Sequence, residues 1–474
     1  MPELILALDV GTTSLRAAVF GLDGTLLAMD ARRLRTQAPS PGRLTQDPAS
    51  VWRGALAAIR GALAAAGRAA GDLAAMGVTT QRTSALVWDR ATGRPASPLV
   101  LWSDLTGAER AAELREQGFF VAPQQAAAKL EAIVAAAASA GAGPLAWGAL
   151  DSWLIARLSG GAAHVTDRSQ AWPTGYLDLS TMGWNEALTA LQRLDPAMFP
   201  RLVDTWGPIA ETDRRLLGAA VPIAADVADQ QAALIAHGAE PGEVKATFGT
   251  SATLDLATGA ELVLRDFATP PFVLSSVGGE ARYCLEGMVY SAGAALDWLR
   301  GVARLGSPQA FDALAASAPD AGGVWFLPAL AGLGAPYADS ARRGALGGLS
   351  LATSRAQIAR AGLEGVAFRA REVFDHLHVV SGREPPEVLG VDGGLSGSGV
   401  FLQILADALG RPVRRHALGE ATAAGAALAA ARGVGLISLA GVGGFVRYDP
   451  PVEPRLGPDA ADARFAAWKA AAYP

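Results

Sequence analysis

The chain opens on an apolar run, Leu4-Ile-Leu-Ala-Leu-Asp9-Val, whose density of aliphatic side chains predicts a buried strand. A tight turn at Gly11 and a second strand, Leu15 to Phe20, follow. Gly21-Leu22-Asp23-Gly24 then reads as a hairpin turn into Thr25–Ala28, so the chain starts as an antiparallel meander of three strands. Val51, Trp52, Leu56, Ile59 and Leu63 recur at helical spacing, with Asp47-Pro48 as the start signal and Gly67 as the stop. Leu73–Thr80 returns as a strand ending in Gln81-Arg82-Thr83, and Ser84–Asp89 continues extended. Leu99–Trp102 is a short strand ending at Ser103-Asp104. Helices are predicted over Gly107–Gln117, from Gln124 onward in an Ala-rich stretch, and over Asp151–Leu158. An apolar segment, Val221 to Asp226, leads to Asp229-Gln230-Gln231 and an Ala-rich helix to His237.

Pro241-Gly242 marks a boundary, and the opening pattern then returns. Val244–Phe248 is a strand, Gly249-Thr250-Ser251 a turn, and Ala252–Leu256 a strand. Strand, Gly-Thr turn, strand thus occurs once near the start of each half, a short match that hints at duplication. Leu389–Asp392 is a strand that ends on Gly393-Gly394 and runs into a helix over Ser398–Leu409, whose N-terminus can receive an anion or a ribose. Gly419–Ala431 is a last core helix, and the Pro- and Ala-rich tail beyond Val442 is expected to be peripheral. The expected domains are residues 1–238, residues 239–440 and the tail, 441–474.

With 474 residues, two domains is the natural expectation, and at 51% hydrophobic residues each can bury a sizeable core. A net charge of -5 without a long basic run argues against nucleic acid as the main partner. The longest uncharged stretch, Ala132 to Leu150, is mostly Ala and Gly and is broken by Pro144, so no membrane insertion is expected. Cys284 is the single cysteine, which excludes a disulfide within the chain and fits a reducing cytoplasm. The first residues lack the charged and small-residue features of a signal peptide.

The candidate chemistry lies at the strand ends. Gly-x-x-x-x-Gly-Lys-Ser/Thr, a protein-kinase catalytic loop and zinc-ligand spacings are all absent. What remains is three glycine turns after strands (Gly11, Gly249 and Gly393-Gly394) and two carboxylates ending apolar segments, Asp9 and Asp229. A turn such as Gly11-Thr12-Thr13-Ser14 can hold phosphate oxygens, with Asp9 beside it for a cation, directly or through water. Each turn taken singly is as readily a structural hairpin, and Asp229 as readily a helix cap. His237, His376 and His416 are read as structural or exposed.

Ordered motifs then carry a resemblance. Leu8-Asp-Val-Gly-Thr-Thr-Ser, Val78-Thr-Thr-Gln-Arg82-Thr, Val100-Leu-Trp102, Asp151-Ser-Trp-Leu-Ile, His164-Val-Thr-Asp, Ala228-Asp-Gln-Gln-Ala-Ala, Phe248-Gly-Thr-Ser, Leu285-Glu-Gly287, Gly332-Leu-Gly-Ala-Pro-Tyr337 and Val391-Asp-Gly-Gly394 occur in sequence order. Together they resemble the FGGY carbohydrate kinases, nearest the glycerol kinase branch, from Leu4 to Leu436. The resemblance implies an α/β fold of two actin-like ATPase (ribonuclease H-like) domains with a cleft between them. The N-terminal domain would hold mainly the acceptor and the first phosphate hairpin, and the C-terminal domain mainly the nucleotide. It implies ATP and Mg2+ as cofactors, a small polyol or sugar as substrate, a cytoplasmic location, and room for a homodimer.

Carried over position by position, it makes Asp229 the catalytic base. Arg82, Thr83, Trp102, Gln124, Gln230 and Thr253 would line the acceptor together with Asp229. Thr12, Thr13 and Arg16 match the first phosphate hairpin, Gly249 and Thr250 the second, and Gly293, Asp297, Gly394 and Ser398 the nucleoside positions. Asp9, with Asp229, would anchor magnesium. Glycerol kinases carry Glu at Thr83, Tyr at Gln124, Phe at Thr253 and an arginine pair at Leu105 and Thr106, so the acceptor pocket is half rebuilt; at the nucleoside positions Asp297 and Ser398 they carry amides. The expected activity is ATP-dependent phosphorylation of a small polyol or sugar hydroxyl, with a pentulose of the xylulose or ribulose type as the other acceptor class. A nucleotide-dependent binding protein of the actin or chaperone type is the reading from another class, and it would need no Asp229-Gln230 beside Arg82 and Trp102.

Overall fold

The computed structural model describes residues 3–141 and 143–473. The chain divides into two units, Met1–Ala236 with Phe272–Arg282 and Thr422–Val446, and His237–Pro271 with Tyr283–Ala421 and Arg447–Pro474.

The first unit is built on a six-stranded sheet. Its strands are β1 (Leu4–Val10), β2 (Ser14–Gly21), β3 (Leu26–Arg33), β4 (Leu73–Thr80), β5 (Trp206–Glu211) and β6 (Pro222–Ala228), in the spatial order β5-β6-β4-β1-β2-β3. β1, β2 and β3 are antiparallel neighbours, as the meander predicts, whereas β4 pairs parallel to β1 and β6 parallel to β4. Parallel strands need a covered crossover. Helix α1 (Pro48–Ala65) supplies the first, opened by Asp47, whose carboxylate accepts from the N–H of Ala49 and of Ser50, and it buries Val51, Ile59 and Leu63. β3 runs to Arg33, beyond the expected Ala28, because Ser14 to Phe20 pair with it almost throughout. Every residue of β1 after Leu4 is buried, Asp9 included.

The parallel order has a consequence for chemistry. β1, β4 and β6 all end at the same edge of the sheet, so the segments after their C-termini, Gly11-Thr12-Thr13, Gln81-Arg82-Thr83 and Asp229-Gln230, emerge together.

The second unit repeats the arrangement. β7 (Val244–Phe248), β8 (Ala252–Gly259), β9 (Glu280–Val289), β10 (Leu389–Asp392) and β11 (Val413–Arg415) run in the order β9-β8-β7-β10-β11. The first three are antiparallel and the last two join in parallel, the order and directions of β3-β2-β1-β4-β6. Its core gathers Phe248, Leu254, Phe326, Phe401 and Leu405 with Phe374 of the 27-residue helix Arg355–Ser381.

One expectation about the end of the chain, the peripheral tail, is corrected. The last core helix (Ala421–Gly433) is present, but from Thr422 it belongs to the first unit, with a Cβ on Gly425 falling 1.7 Å from the Ala232 carbonyl oxygen. The tail is not peripheral. Phe445 is fully buried, and the helix Pro458–Ala472 sends Trp468 and Ala472 into the second unit's core. Proline and alanine content describes the connecting turns and misses those two aromatic anchors.

Candidate active site

In the first unit, the turn after β1 is closed by the Gly11 N–H donating to Ser14 O at 3.0 Å. Across the β1–β2 pair Asp9 faces Arg16, and Arg16 Nη1 donates to Asp9 Oδ2 at 2.9 Å. The cation anchor and the phosphate arginine expected from the sequence are thus one ion pair. Thr12 is a junction: its hydroxyl donates to Gln81 Oε1 at 3.0 Å and accepts from Trp102 Nε1 at 3.0 Å, and its carbonyl accepts from Gln46 Nε2 at 2.6 Å. Gln46 and Gln81 are both buried and lie 3.4 Å apart, Nε2 of Gln81 to Oε1 of Gln46. Thr13, by contrast, is exposed, with its carbonyl taken by the Leu34 N–H at 2.9 Å.

Arg82 and Asp229 meet at the ends of β4 and β6, Nε to Oδ1 at 3.6 Å, both partly buried. The guanidinium also sits 4.6 Å from the centre of the Phe272 ring, a cation–π distance. Asp229 opens the helix Asp229–Ala236, and its Oδ1 accepts from the Gln230 N–H at 2.8 Å. That bond is to the immediately following N–H, whereas a helix cap takes the second or third, so it does not by itself make Asp229 a cap. Thr83 stands at φ 57°, the left-handed region, where a β-branched residue is strained; such a position turns the chain sharply after Arg82. Trp102 is 37% exposed, an uncommon position for a large indole in a packed fold, and it leaves a ring face open beside Thr12.

A turn that the sequence reading passed over fixes the Arg82–Asp229 pair from below. Gln170 Nε2 donates to Thr80 Oγ1 at 3.0 Å and to the Val227 carbonyl at 3.3 Å, and Ser169 Oγ accepts from the Ala228 N–H at 2.9 Å. One two-residue segment therefore holds the last residues of both β4 and β6. Asp167 caps that segment, accepting from the N–H groups of Ser169 and Gln170. Beneath it lie three fully buried carboxyls, Asp151, Asp167 and Asp226, with Asp226 Oδ2 accepting from the Asp167 N–H at 2.9 Å. Burial, then the neighbouring Asp151 and Asp167, pushes Asp226 well above the ordinary carboxylate range, and burial carries Asp151 and Asp167 up to about 6. The three acids form a hydrogen-bonded scaffold beneath that segment, with Asp151 also accepting from Thr166 and Asp167 from Thr205.

In the second unit, Gly249 and Thr250 form the expected turn after β7, Gly249 N–H donating to Ser251 O at 2.9 Å. The helix Gly293–Val302 begins on that turn: Gly293 N–H donates to Gly249 O at 3.0 Å, and a Cβ on Gly293 would lie 2.5 Å from that oxygen. Glycine at this position is a packing requirement. Gly393 packs on Phe248 in the same way, so Gly249, Thr250, Gly293 and the Gly393-Gly394 turn cluster. A short 3-10 segment, Gly394–Gly397, separates that turn from the helix Gly399–Leu409, which Ser398 caps by accepting from the Phe401 N–H at 3.1 Å. Asp297 is exposed and paired with Arg300 at 2.7 Å, pointing along its own helix. Thr253 is buried on β8 opposite Thr247. His237 and His416 are buried, as expected of structural residues, with His237 Nε2 donating to Asp392 Oδ2 at 2.9 Å.

Among the described residues no group of three or more His, Cys, Asp or Glu side chains is arranged to hold a metal ion, and no helix is long and apolar enough to cross a membrane. Sequence reasoning missed Gln46, Ser169, Gln170 and Phe272. Phe272 sits far along the chain and carried no local signal.

Two family profiles match. That of the N-terminal domain of the FGGY family of carbohydrate kinases covers residues 4–236, and that of the C-terminal domain covers 244–434. A glycerol kinase of Citrifermentans bemidjiense is 37% identical over 470 residues, spanning 96% of this chain and 95% of that relative. Among solved structures, Plasmodium falciparum glycerol kinase with ADP superposes with a TM-score of 0.89 at 23% identity, covering 99% of this chain and 97% of the other. Xylulose kinase from Rhodospirillum rubrum gives 0.83 at 27% identity, covering 99% and 98%.

Proposed function

The chain belongs to the FGGY family of carbohydrate kinases, and from that premise we propose that it transfers the γ-phosphoryl group of ATP to a hydroxyl of a small polyol or sugar, with Asp229 as the base. One observation carries the assignment of roles: the Arg82–Asp229 pair at the ends of adjacent parallel strands, at the sheet edge where the Gly11-Thr12 turn also emerges. Phosphoryl transfer asks the protein for positioning and for charge more than for covalent steps. As the acceptor oxygen bonds phosphorus, its proton has to leave, and a carboxylate within hydrogen-bond reach receives it. Asp229 is held for that task by its helix start and by the Ser169–Gln170 brace under β6. Arg82 sets a positive charge beside the Asp229 carboxylate, where a guanidinium can meet acceptor hydroxyls, while the exposed part of Trp102 covers the carbon chain.

Arg16 and the backbone of Thr12 and Thr13 would take phosphate in the first unit, since the Thr12 hydroxyl already donates to Gln81. In the second, Gly249-Thr250 takes phosphate, and Gly293, Asp297, Gly394 and Ser398 take the nucleoside. Asp9 would hold Mg2+ as a single hard carboxylate, most simply through water because its Oδ2 already accepts from Arg16, and this ion commonly uses one or two carboxylates with phosphate oxygens and water. When bound, it would neutralise charge developing on the phosphates.

The acceptor is a short polyol or a ketose larger than glycerol. Thr83 lacks the carboxylate of glycerol kinases, and a charge-assisted bond to a hydroxyl is worth about 1.5–3 kcal/mol, or roughly ten- to a hundredfold in specificity. Asp229→Asn tests the base. Asparagine has nearly the same shape and keeps an oxygen for the Gln230 N–H, so folding and ATP affinity should persist while kcat falls by on the order of 10²–10⁴. Near-normal kcat in a folded Asp229→Asn protein removes Asp229 from the mechanism.

A further inference from the structure

Lys129 lies between a 3-10 turn, Ala126–Ala128, and the helix Leu130–Ser139, and its side chain is 5% exposed. Its ammonium makes three hydrogen bonds, all to backbone carbonyls: Leu101 at 3.1 Å, Asp104 at 3.0 Å and Gln124 at 3.0 Å. Three donors meet three acceptors, so the group is fully satisfied. Leu101 and Asp104 bracket Trp102, and Gln124 is the other candidate wall of the acceptor pocket.

We propose that Lys129 is the positioning residue of that pocket: its ammonium ties the Trp102 turn to the Gln124 segment and sets the spacing between the two walls. The proposal rests on the reading of Trp102 and Gln124 as acceptor contacts. A buried lysine is costly, and a side chain needed only to fill space would be apolar. Here the charge is directed entirely at the backbone of two loops that share no strand. The approach is close enough that a Cβ on Gly107, just beyond the Trp102 turn, would stand 2.9 Å from Lys129 Cγ.

The charged groups facing the ammonium are Asp104 and Arg43, themselves 3.8 Å apart, and the Asp104 carboxylate is occupied by the N–H groups of Leu44 and Thr106. Burial brings Lys129 down to about 8, with Asp104 opposing and Arg43 assisting. A neutral amine has two donors for three carbonyls, so one tie is lost as pH rises through that value.

Two measurements on the full chain test this. Hydrogen–deuterium exchange of wild type and Lys129→Met, neither requiring turnover, should show faster exchange confined to segments 99–107 and 120–126. Exchange that is unchanged, or raised evenly across the first unit, overturns the clamp. Steady-state kinetics should show the acceptor KM of Lys129→Met raised roughly tenfold or more, the ATP KM within twofold, and the wild-type acceptor KM rising above pH about 8. An acceptor KM unmoved by both the substitution and pH overturns the role in the pocket. If wild type turns over no polyol or sugar, the proposed function fails, and the exchange result still decides the clamp.

Discussion

Arg82 shows what single residues disclose and what they hide. Its place at the end of an apolar strand, followed by Thr83, was legible, and so was the carboxylate of Asp229. Their 3.6 Å approach was not, because it depends on β4 and β6 being parallel neighbours. Nor was the cover of Phe272 or the brace from Gln170, since both come from distant parts of the chain with no local pattern. Arg82→Lys is informative because lysine keeps the charge but loses the planar fork and most of the ring contact. The acceptor KM should rise roughly ten- to a hundredfold with the ATP KM little changed, measured in a steady-state assay. An unchanged acceptor KM would place Arg82 outside the pocket and leave it as a partner of Asp229 alone.

At the scale of elements, the meander, α1 and the strand–turn–strand opening of each half followed from periodicity and from turn residues. The helix Ala421–Gly433 was legible as a helix, but its packing partner was not, because an Ala- and Gly-rich face carries little directional information. Its glycines answer the question. Gly77 on β4 faces the Ala426 carbonyl, where a Cβ would lie 2.3 Å away, and Gly425 meets Ala232 in the helix that Asp229 opens. Backbone packs on backbone at both contacts, and an added methyl has nowhere to go. Gly425→Ala should therefore destabilise by about 1–3 kcal/mol despite alanine's better helix propensity. Urea denaturation checks this, and a variant as stable as wild type would show that the helix can shift without cost.

For the whole molecule, the two sheets share strand order and direction over five strands, a duplication that the sequence betrays only in its two Gly-Thr turns. The first unit also carries the buried trio of Asp151, Asp167 and Asp226, invisible in sequence because each acid comes from a different segment. All three are held above the ordinary value of 3.8. A carboxyl raised on folding contributes stability in its protonated form, fully present below 3.8 and lost as pH rises through the folded value, about 6 for Asp151 and Asp167. Melting temperature should accordingly fall from pH 4 to above pH 6, and Asp226→Asn, which keeps an acceptor for the Asp167 N–H, should flatten that fall; an equal slope in wild type and variant would contradict it. The central claim, phosphoryl transfer from ATP to a small hydroxylated acceptor, is tested most directly by ADP release across glycerol, tetritols, pentitols and ketoses, with the product followed by phosphorus NMR. The account predicts acceptor-dependent ADP release with a phosphate monoester as product, at a higher kcat/KM for a four- or five-carbon acceptor than for glycerol. ADP release that no polyol or sugar stimulates, with inorganic phosphate as the product, would contradict it.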